Sequence, residues 1–539
     1  MDYKSKYEEL RNRISRLNEI GLALSTEKDT NVLFEKILEE SASISNADGR
    51  TLYIVKDNNL HFEIMKTESL DIWIGGTSGK KINYAPVPMY AEDGKPNLKN
   101  VCAYAAISGT AVNIEDAYTI SRFDFSGMKE FDKSTGFRSL SSLTVPMKNH
   151  ENEILGVIQL INARDKDNKV ISFSTEMLEE IESLTSQGAV TLSNKDLIND
   201  LKELFESFIK LIADSIDRKS PYTGGHCKRV PELTMMIAEA LENQTSGKFK
   251  DFKMTEAEKY ELKIAAWLHD CGKITTPVHV VDKSTKLETI YDRIHLIETR
   301  FEAYIQEEKI KFLKEKIKLL KTENDAEIKE LEDNFNTKVS NLRDDLEFIK
   351  SQNLGSEYMP EEDIDRIREI GKKSWYMNGH KLPLLSKDEV YNLTIKRGTL
   401  NHEERKQIND HIIATIQMLN NLPYPKNLAN VPEFAGGHHE KMDGTGYPLG
   451  LNQNEMSVQA RVMAIADIYE ALTAPDRPYK EGKHLSESMR ILGYMRDDYH
   501  IDKDIFEVFV KEGIYKQYAE KFVPKKQIDS IKENELFPS

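Results

Sequence analysis

Apolar residues near the start of the chain fall at helical spacing, Leu10, Ile14, Leu17 and Leu24 and then Leu33, Ile37 and Leu38, so two helices are expected there. The pattern then changes to strands. Thr51 to Val55 and Leu60 to Met65 flank Asp57-Asn58-Asn59, three residues that favour tight turns, and make a predicted hairpin. Leu143 to Met147 and Ile154 to Asn162, separated by the polar run Lys148-Asn149-His150-Glu151-Asn152-Glu153, make a second. Strands bracketed by helices imply an α+β unit. From Met177 to about Asp217 strand and turn signals vanish. Leu178, Ile181, Leu184, Leu192, Leu201, Leu204, Phe208 and Leu211 recur mostly at steps of three, four or seven, the pattern of one long connecting helix whose stripe suits a domain bridge or a dimer seam.

After Asp217 the chain reads almost entirely as helices and loops. Between about Phe301 and Gln352 it turns strongly charged, yet Ile310, Leu313, Ile317, Leu320, Ile328, Leu331, Phe335, Val339, Leu342, Leu346 and Ile349 keep a three-four rhythm interrupted only around Asn324. Two forms satisfy it: one helix of about 75 Å at ~1.5 Å per residue, or a helical hairpin turning near Asn324-Asp325. A stripe of this kind is a structural or oligomerising arm rather than a place for chemistry.

A length of 539 residues suggests roughly three to four domains, and 39% hydrophobic residues suffice for each to bury a core. The formal charge of -16, from 90 acidic and 74 basic residues, disfavours a general role on duplex nucleic acid or an anionic membrane, and an anionic substrate would need local cations. Cys102, Cys227 and Cys271 are too few and too scattered for a disulfide framework or a CxxC zinc site, which fits a reducing cytoplasm. No signal peptide is read at the start, and no apolar run approaches the ~20 residues that span a bilayer, so a soluble cytoplasmic protein without membrane insertion is expected.

The candidate chemistry is concentrated in His438-His439-Glu440-Lys441-Met442-Asp443-Gly444-Thr445-Gly446-Tyr447-Pro448, with His269-Asp270 far upstream and Asp467 shortly downstream. Phosphodiester hydrolysis needs a nucleophile at neutral pH and neutralisation of charge on the phosphoryl oxygens, and a pair of metals supplies both. Neutral imidazoles and carboxylates are the ligands such a pair requires, and the candidates are His226, His269, Asp270, His411, His438, His439 and Asp467. Singly, each has a plainer explanation as a surface residue, a core histidine or a helix cap. His269-Asp270 stands out because it ends the apolar run Ile264-Ala265-Ala266-Trp267-Leu268 and precedes Gly272-Lys273. A polar pair there needs compensation for its desolvation, which a metal would provide.

With those residues in view, the chain from about Asp217 to His500 resembles the HD-GYP subgroup of the HD phosphohydrolases, whose members hydrolyse the bacterial messenger cyclic di-GMP. The likeness is carried by Tyr222-Thr223-Gly224-Gly225-His226, His269-Asp270-Cys271-Gly272-Lys273, Lys396-Arg397-Gly398-Thr399-Leu400 followed by His411, the His438 to Pro448 block, and Arg461 to Asp467. It implies that His226, His269, Asp270 and Asp467 hold one divalent metal and His411, His438 and His439 another, with Asp270 bridging. Iron or manganese is expected ahead of zinc. Asp270 and Lys273 are then the catalytic residues. Lys273 would meet the scissile phosphate, with Gly446, Tyr447 and Pro448 in a loop beside the substrate and Arg477 and Lys480 as guanine or phosphate contacts. The glycine at 446 is expected to allow a backbone conformation that other residues resist.

The chain also departs from the family pattern. Some relatives hold a third metal through a glutamate four residues before the first histidine; Tyr222 stands there, so two metals are expected. Cys271 replaces an aliphatic residue, which points to packing, with redox sensitivity as an alternative. About a hundred extra residues separate Lys273 from Leu400, and within them Lys283-Ser284-Thr285-Lys286-Leu287-Glu288 with His295 echoes the later turn. This makes His295 a rival to His411, while His402 reads as a surface residue.

Residues 1 to about 195 resemble a GAF domain, most visibly in Asn113 to Tyr118 and Phe131 to Arg138. Against the signature of the cyclic-nucleotide-binding members, Asn162, Phe173 and Glu176 match loosely and Ala163 replaces the lysine, so the pocket has an unknown small-molecule ligand or none. The expected architecture is multidomain: an α+β GAF domain (1–195), a connecting helix (196–217), and an all-α HD-GYP domain in two parts (218–300 and 391–539) around a long charged helical insertion (301–390). The expected activity is GAF-regulated, metal-dependent hydrolysis of cyclic di-GMP to the linear dinucleotide, with continuation to GMP left open, in a homodimer. The alternatives are another cyclic dinucleotide or nucleotide as substrate, or a messenger-binding adaptor without turnover.

Overall fold

The described residues of the computed structural model are 7, 11, 15, 18–24, 26–27, 29–219, 225–321, 324–356, 358–475, 482–531 and 536. They belong to two units, Met1–Leu204 and Phe205–Ser539.

In the amino-terminal unit, helix α1 (Thr30–Ser45) starts where Asp29 accepts hydrogen bonds from the Asn31 and Val32 N–H groups, satisfying two donors that a helix start leaves open. The strands of its main sheet are β1 (Gly49–Lys56), β2 (Asn59–Thr67), β3 (Ile72–Gly75), β4 (Val87–Pro88), β5 (Val112–Ile114), β6 (Ser142–Lys148) and β7 (Ile154–Ile161). They form one antiparallel sheet ordered β3-β2-β1-β7-β6-β5, with β4 also pairing β2. Both expected hairpins are present. In the first, Asp57 and Asn58 take φ of 49° and 58°, the left-handed pair that lets a two-residue turn follow the strand twist.

Alternation along the strands gives the sheet two working faces. Leu52, Leu143, Val145, Ile158 and Leu160 pack with Leu33 and Ile37 of α1, whereas Tyr53 and Val157 pack with Val101 and Ala106 of α2 (Val101–Ser108). The two GAF-like segments are tied to each other: the Tyr118 hydroxyl donates to Asp132 of α3 (Ser126–Thr135), and Asp132 also accepts from the Ser139 N–H and hydroxyl. Asn162, at φ 58°, accepts from the Leu140 N–H and donates to the Arg138 carbonyl, and Phe173 is buried in the core. Both residues therefore have architectural work to do.

The connecting helix α4 runs Thr175–Lys219, 45 residues. Ile181, Leu184 and Leu192 are buried in the core of the first unit, and Ile209, Ala213 and Ile216 in that of the second. Leu201, Leu204, Phe208 and Leu211, the later part of the stripe, are exposed.

The second unit packs α5 (His226–Glu242), α6 (Glu256–Leu268), α7 (Ile294–Leu320), α8 (Asp325–Asn353), α9 (Glu361–Lys372), α10 (Lys387–Leu393), α11 (His402–Asn409), α12 (His411–Asn420), α13 (Val431–Gly436), α14 (Val458–Thr473), α15 (Leu485–Asp497), α16 (Lys503–Lys511) and α17 (Ile514–Phe522). Val230, Leu233 and Ile237 of α5 pack with Ile465 and Tyr469 of α14 and with Phe506 and Phe509. Leu262, Ala265 and Leu268 of α6 pack with Phe434 and Ala435 of α13 and with Met463 of α14. The charged segment is a hairpin of α7 and α8, turning at Asn324, whose side chain accepts from the Glu327 N–H. Phe312 and Phe335 stack across it with centroids 4.5 Å apart, and Lys338 pairs with Glu308 at 2.5 Å.

One element departs from the helical insertion expected over 301–390. Strands β8 (Ser374–Met377) and β9 (His380–Pro383) form a small hairpin whose turn, Asn378-Gly379, has φ of 51° and 80°. Asn-Gly is the strongest short-range hairpin signal a sequence carries, and charge patterning masked it here. Among the described residues no helix is long and apolar enough to cross a membrane.

Candidate metal centre

Each candidate side chain sits where a helix begins, ends or turns a charged face inward. Helix α6 starts with a reciprocal Thr255–Glu258 capping box and ends at His269, its cap residue. Asp270 then opens the 3-10 turn Cys271–Thr275, which carries Lys273. His411 is the first residue of α12, and His438 and His439 follow directly after α13 and Gly437. Asp467 and Glu470 lie one turn apart on α14. His226 opens α5 behind Gly225, whose φ of 92° is open to glycine with little penalty.

These elements bring the seven sequence candidates together as two clusters. His226, His269, Asp270 and Asp467 form one, and His411, His438 and His439 the other, with the potential ligand atoms of each cluster within 4.8 Å of one another. Asp270 faces both: its Oδ2 is 3.2 Å from the Nε2 atoms of His226 and His269, while its Oδ1 is 3.2 Å from His411 Nε2. Asp467 Oδ1 is 3.2 Å from His226 Nε2 and 3.7 Å from His269 Nε2.

The outer nitrogens are committed elsewhere. Nδ1 of His269 lies 2.8 Å from the Ala266 carbonyl, Nδ1 of His438 lies 2.6 Å from the Ala435 carbonyl, and Nδ1 of His411 meets the Ile408 carbonyl. A carbonyl only accepts, so each of these Nδ1 atoms carries a proton and the ring is left with its Nε2 turned inward. Nε2 of His226, His269, His411 and His438, together with Asp270 Oδ1, is buried without a hydrogen-bond partner. An Nε2 lone pair facing a carboxylate oxygen at 3.2 Å is repelled unless a proton or a metal cation lies between them. The donor set therefore fits divalent ions, and imidazole with carboxylate suits iron, manganese and zinc alike.

The two clusters differ electrostatically. Burial would lower the His269 pKa, but Asp270 and Asp467 outweigh it and hold it at about 9. Burial likewise opposes ionisation of Asp270 and Asp467, yet the surrounding cationic groups keep both carboxyls well below their usual range. In the all-histidine cluster burial wins: His439 is pushed down to about 4 and His438 lies well below its ordinary value. Lys273 pairs with Asp270 Oδ2, and although burial disfavours its charge, Asp270 and Asp467 raise its pKa.

The loop after His439 is shaped by Glu440, which is buried and accepts from the Leu449 N–H at 2.7 Å and the Leu451 N–H at 2.9 Å. Tyr447 stacks on His439 with centroids 4.9 Å apart and rings inclined by 22°. The conformational freedom expected of Gly446 belongs instead to Gly444, at φ 78°; Gly446 is required for space, since a Cβ there would stand 2.4 Å from the Lys441 nitrogen.

The rival His295 is exposed and bonds only Glu298 on its own helix among the described partners, and His402 is exposed too, so neither joins the clusters. Cys271 is buried and its thiol is pushed up to about 11 by burial, the behaviour of a packing residue and not of a redox sensor. Tyr222, Arg477 and Lys480 lie outside the described residues. Sequence reasoning drew nothing from Glu470. It is buried, receives Nδ1–H of His226 and pairs with Arg229 at 2.6 Å, and so orients the one histidine of the first cluster not held by a backbone carbonyl. Its position three residues after Asp467, on the same helix face, was the available signal.

Family comparisons point the same way. A GAF-domain family model matches residues 29–192, and HD-domain models match residues 223–363 and 385–505. A cyclic di-GMP phosphodiesterase of Pseudomonas aeruginosa is 47% identical over 79 residues, 14% of this chain and 18% of that protein. The 3'3'-cGAMP-specific phosphodiesterase 3 of Vibrio cholerae is 36% identical over 152 residues, 28% of this chain and 30% of that protein. A cyclic di-GMP phosphodiesterase of Thermotoga maritima is 25% identical over 252 residues, 43% of this chain and 64% of that protein. The chain thus spans less than a third of the first two relatives and under two thirds of the third. The chain carries GAF-domain sequence followed by HD-domain sequence, and the three relatives named are cyclic dinucleotide phosphodiesterases.

Proposed function

We propose that residues 218–300 and 391–539 together form a metal-dependent phosphodiesterase that hydrolyses cyclic di-GMP to the linear dinucleotide. The observation that carries this reading is the set of inward, unpartnered Nε2 atoms of His226, His269, His411 and His438 around an Asp270 whose two oxygens face different clusters. His226, His269, Asp270 and Asp467 would hold one divalent ion and His411, His438 and His439 the other, with Asp270 shared. When bound, such a pair makes water nucleophilic at neutral pH and neutralises charge on the phosphoryl oxygens.

The chain's own groups do the rest. Asp270 and Asp467, ionised far below neutrality, offset the charge of the ions. Lys273 brings a permanently charged ammonium to the same place, where it meets a phosphoryl oxygen as negative charge grows. The ring of Tyr447, stacked on His439, walls the substrate side, with Gly446 and Pro448 in the loop that Glu440 braces. A second substrate reading, 3'3'-cGAMP, is favoured by the Vibrio cholerae relative. The GAF domain acts as the sensor, in a reducing cytoplasm that keeps the three free, buried cysteines as thiols. The exposed Leu201, Leu204, Phe208 and Leu211 stripe is the seam of a homodimer.

The test is to purify the chain without oxygen, count metals, and assay both cyclic dinucleotides with wild type, His269→Ala and Asp270→Ala. About two metals per chain and turnover lost in both variants are expected. Bound messenger left intact for hours by the metal-loaded wild type would favour an adaptor, and unimpaired turnover in the variants would end the assignment.

A further inference from the structure

The last turn of α4 grips the centre from behind. Lys219, the final residue of the helix, donates from Nζ to three main-chain carbonyls, those of Lys273 at 3.0 Å, Ile274 at 2.5 Å and Thr276 at 2.6 Å. They belong to the turn that follows Asp270 and carries Lys273, and to its cap residue Thr276. Two residues earlier, Asp217 is buried, and its Oδ2 accepts from the Gly225 N–H at 3.0 Å while its Oδ1 accepts from the Cys227 N–H at 3.4 Å. Those N–H groups flank His226 and belong to the open donors of the α5 start, where a carboxylate also meets the positive end of the helix dipole.

One helical turn thus presents an anion to the segment that bears His226 and a cation to the segment that bears Lys273. The turn itself is fixed, because Ile209, Ala213 and Ile216 of α4 are buried in the same core as Cys227, Leu268 and Cys271. Neither side chain belongs to the clusters themselves: Lys219 bonds main-chain carbonyls, and Asp217 bonds main-chain N–H groups and the Cys227 thiol. Their effect is on where His226 and Lys273 stand. Lysine suits the task because its ammonium has three donors, one for each carbonyl, while aspartate offers two acceptor oxygens to two N–H groups.

We propose that Asp217 and Lys219 are positioning residues of the centre, Asp217 setting His226 and Lys219 setting Lys273, so that displacement of the α4 end reaches the reaction through both. The inference rests on the phosphodiesterase reading for its kinetic half and on the metal clusters alone for the other half.

The experiment uses the full chain and reads two quantities, manganese affinity by titration and kcat against KM with cyclic di-GMP. Asp217→Ala should weaken manganese binding roughly 10- to 100-fold, as loss of a ligand's support does. Asp217→Asn, which keeps an acceptor oxygen, should lose less. Lys219→Met should keep manganese affinity and lower kcat/KM about 100-fold, the usual consequence of misplacing a reacting group by about 1 Å, with Lys219→Arg recovering part of it. A merely structural role would lower the melting temperature of every variant while leaving affinity and kcat per folded molecule unchanged, and that result overturns the proposal. If Lys219→Met yields no folded protein, Lys219→Gln, which retains one donor group, takes its place in the same comparison. Wild type that binds manganese but cleaves neither cyclic dinucleotide would sink the phosphodiesterase reading, while the Asp217 affinity ratio would still decide its half of the proposal.

Discussion

Gly272→Ala is the sharpest single perturbation of this centre. A Cβ at 272 would lie 1.9 Å from the His411 carbonyl oxygen and 2.6 Å from the Thr415 nitrogen, both backbone atoms, where real Cβ contacts essentially never fall below 3.0 Å. The Gly272 N–H also donates to Thr415 Oγ1 at 2.9 Å, so the turn and α12 are held together at this spot. Relief therefore requires the turn and α12 to separate by about 1 Å, within the overpacking range of ~1–3 kcal/mol in stability. The separation acts along the contact that joins the clusters, Asp270 Oδ1 to His411 Nε2 at 3.2 Å. A displacement of about 1 Å in a catalytic constellation costs roughly 100-fold in rate, or ~2.7 kcal/mol of transition-state stabilisation. The assay is kcat/KM with cyclic di-GMP alongside metal content and melting temperature. Gly127→Ala serves as control, since nothing lies within 4 Å of a Cβ there. A Gly272→Ala protein with wild-type metal content and kcat/KM would refute the claim that close approach of these two segments makes the shared site.

Other consequences can be checked separately. Glu470→Gln removes the carboxylate that orients His226 and pairs with Arg229, and should weaken metal binding about 10- to 100-fold in a competition titration; unchanged affinity would leave Glu470 without that role. In the metal-free protein burial is outweighed by Asp270 and Asp467, so His269 is protonated below about pH 9 and an incoming ion must displace that proton. Apparent affinity should then rise with pH up to about 9, and titration calorimetry in buffers of different ionisation heat should register proton release at neutral pH; a flat profile between about pH 6 and 9 would contradict the sign. Asn162→Ala deletes the bonds to the Leu140 N–H and the Arg138 carbonyl and should destabilise the amino-terminal unit by about 2 kcal/mol in denaturant unfolding, and an unmoved midpoint would deny Asn162 its architectural role.

Much of the local structure was legible because it depends on near neighbours. Asp57-Asn58 announced a left-handed turn, and the stripe from Leu178 to Leu211 announced a long helix. The charged segment left two forms open, since the same three-four rhythm serves a single rod or a pair. Packing decided for the pair, with Phe312 on Phe335 closing the hairpin. The Asn378-Gly379 turn was equally local but went unread inside a run judged by its charge. Asn162 and Phe173 drew attention as remnants of a ligand signature and turned out to hold the sheet together.

By itself, the order of residues determined which side chains were available as ligands, because imidazoles and carboxylates in such numbers at helix ends are expensive unless something compensates them. It also determined the helices and strands that carry them, through periodicity and turn chemistry. Only the tertiary structure decided which groups face which. It set His411 and not His295 beside Asp270, divided the two oxygens of Asp270 between clusters, and brought Glu470 to His226 and Lys219 to the Lys273 turn across long stretches of chain. Those choices depend on how whole helices pack, a property of distant apolar surfaces that no local pattern around the ligands encodes.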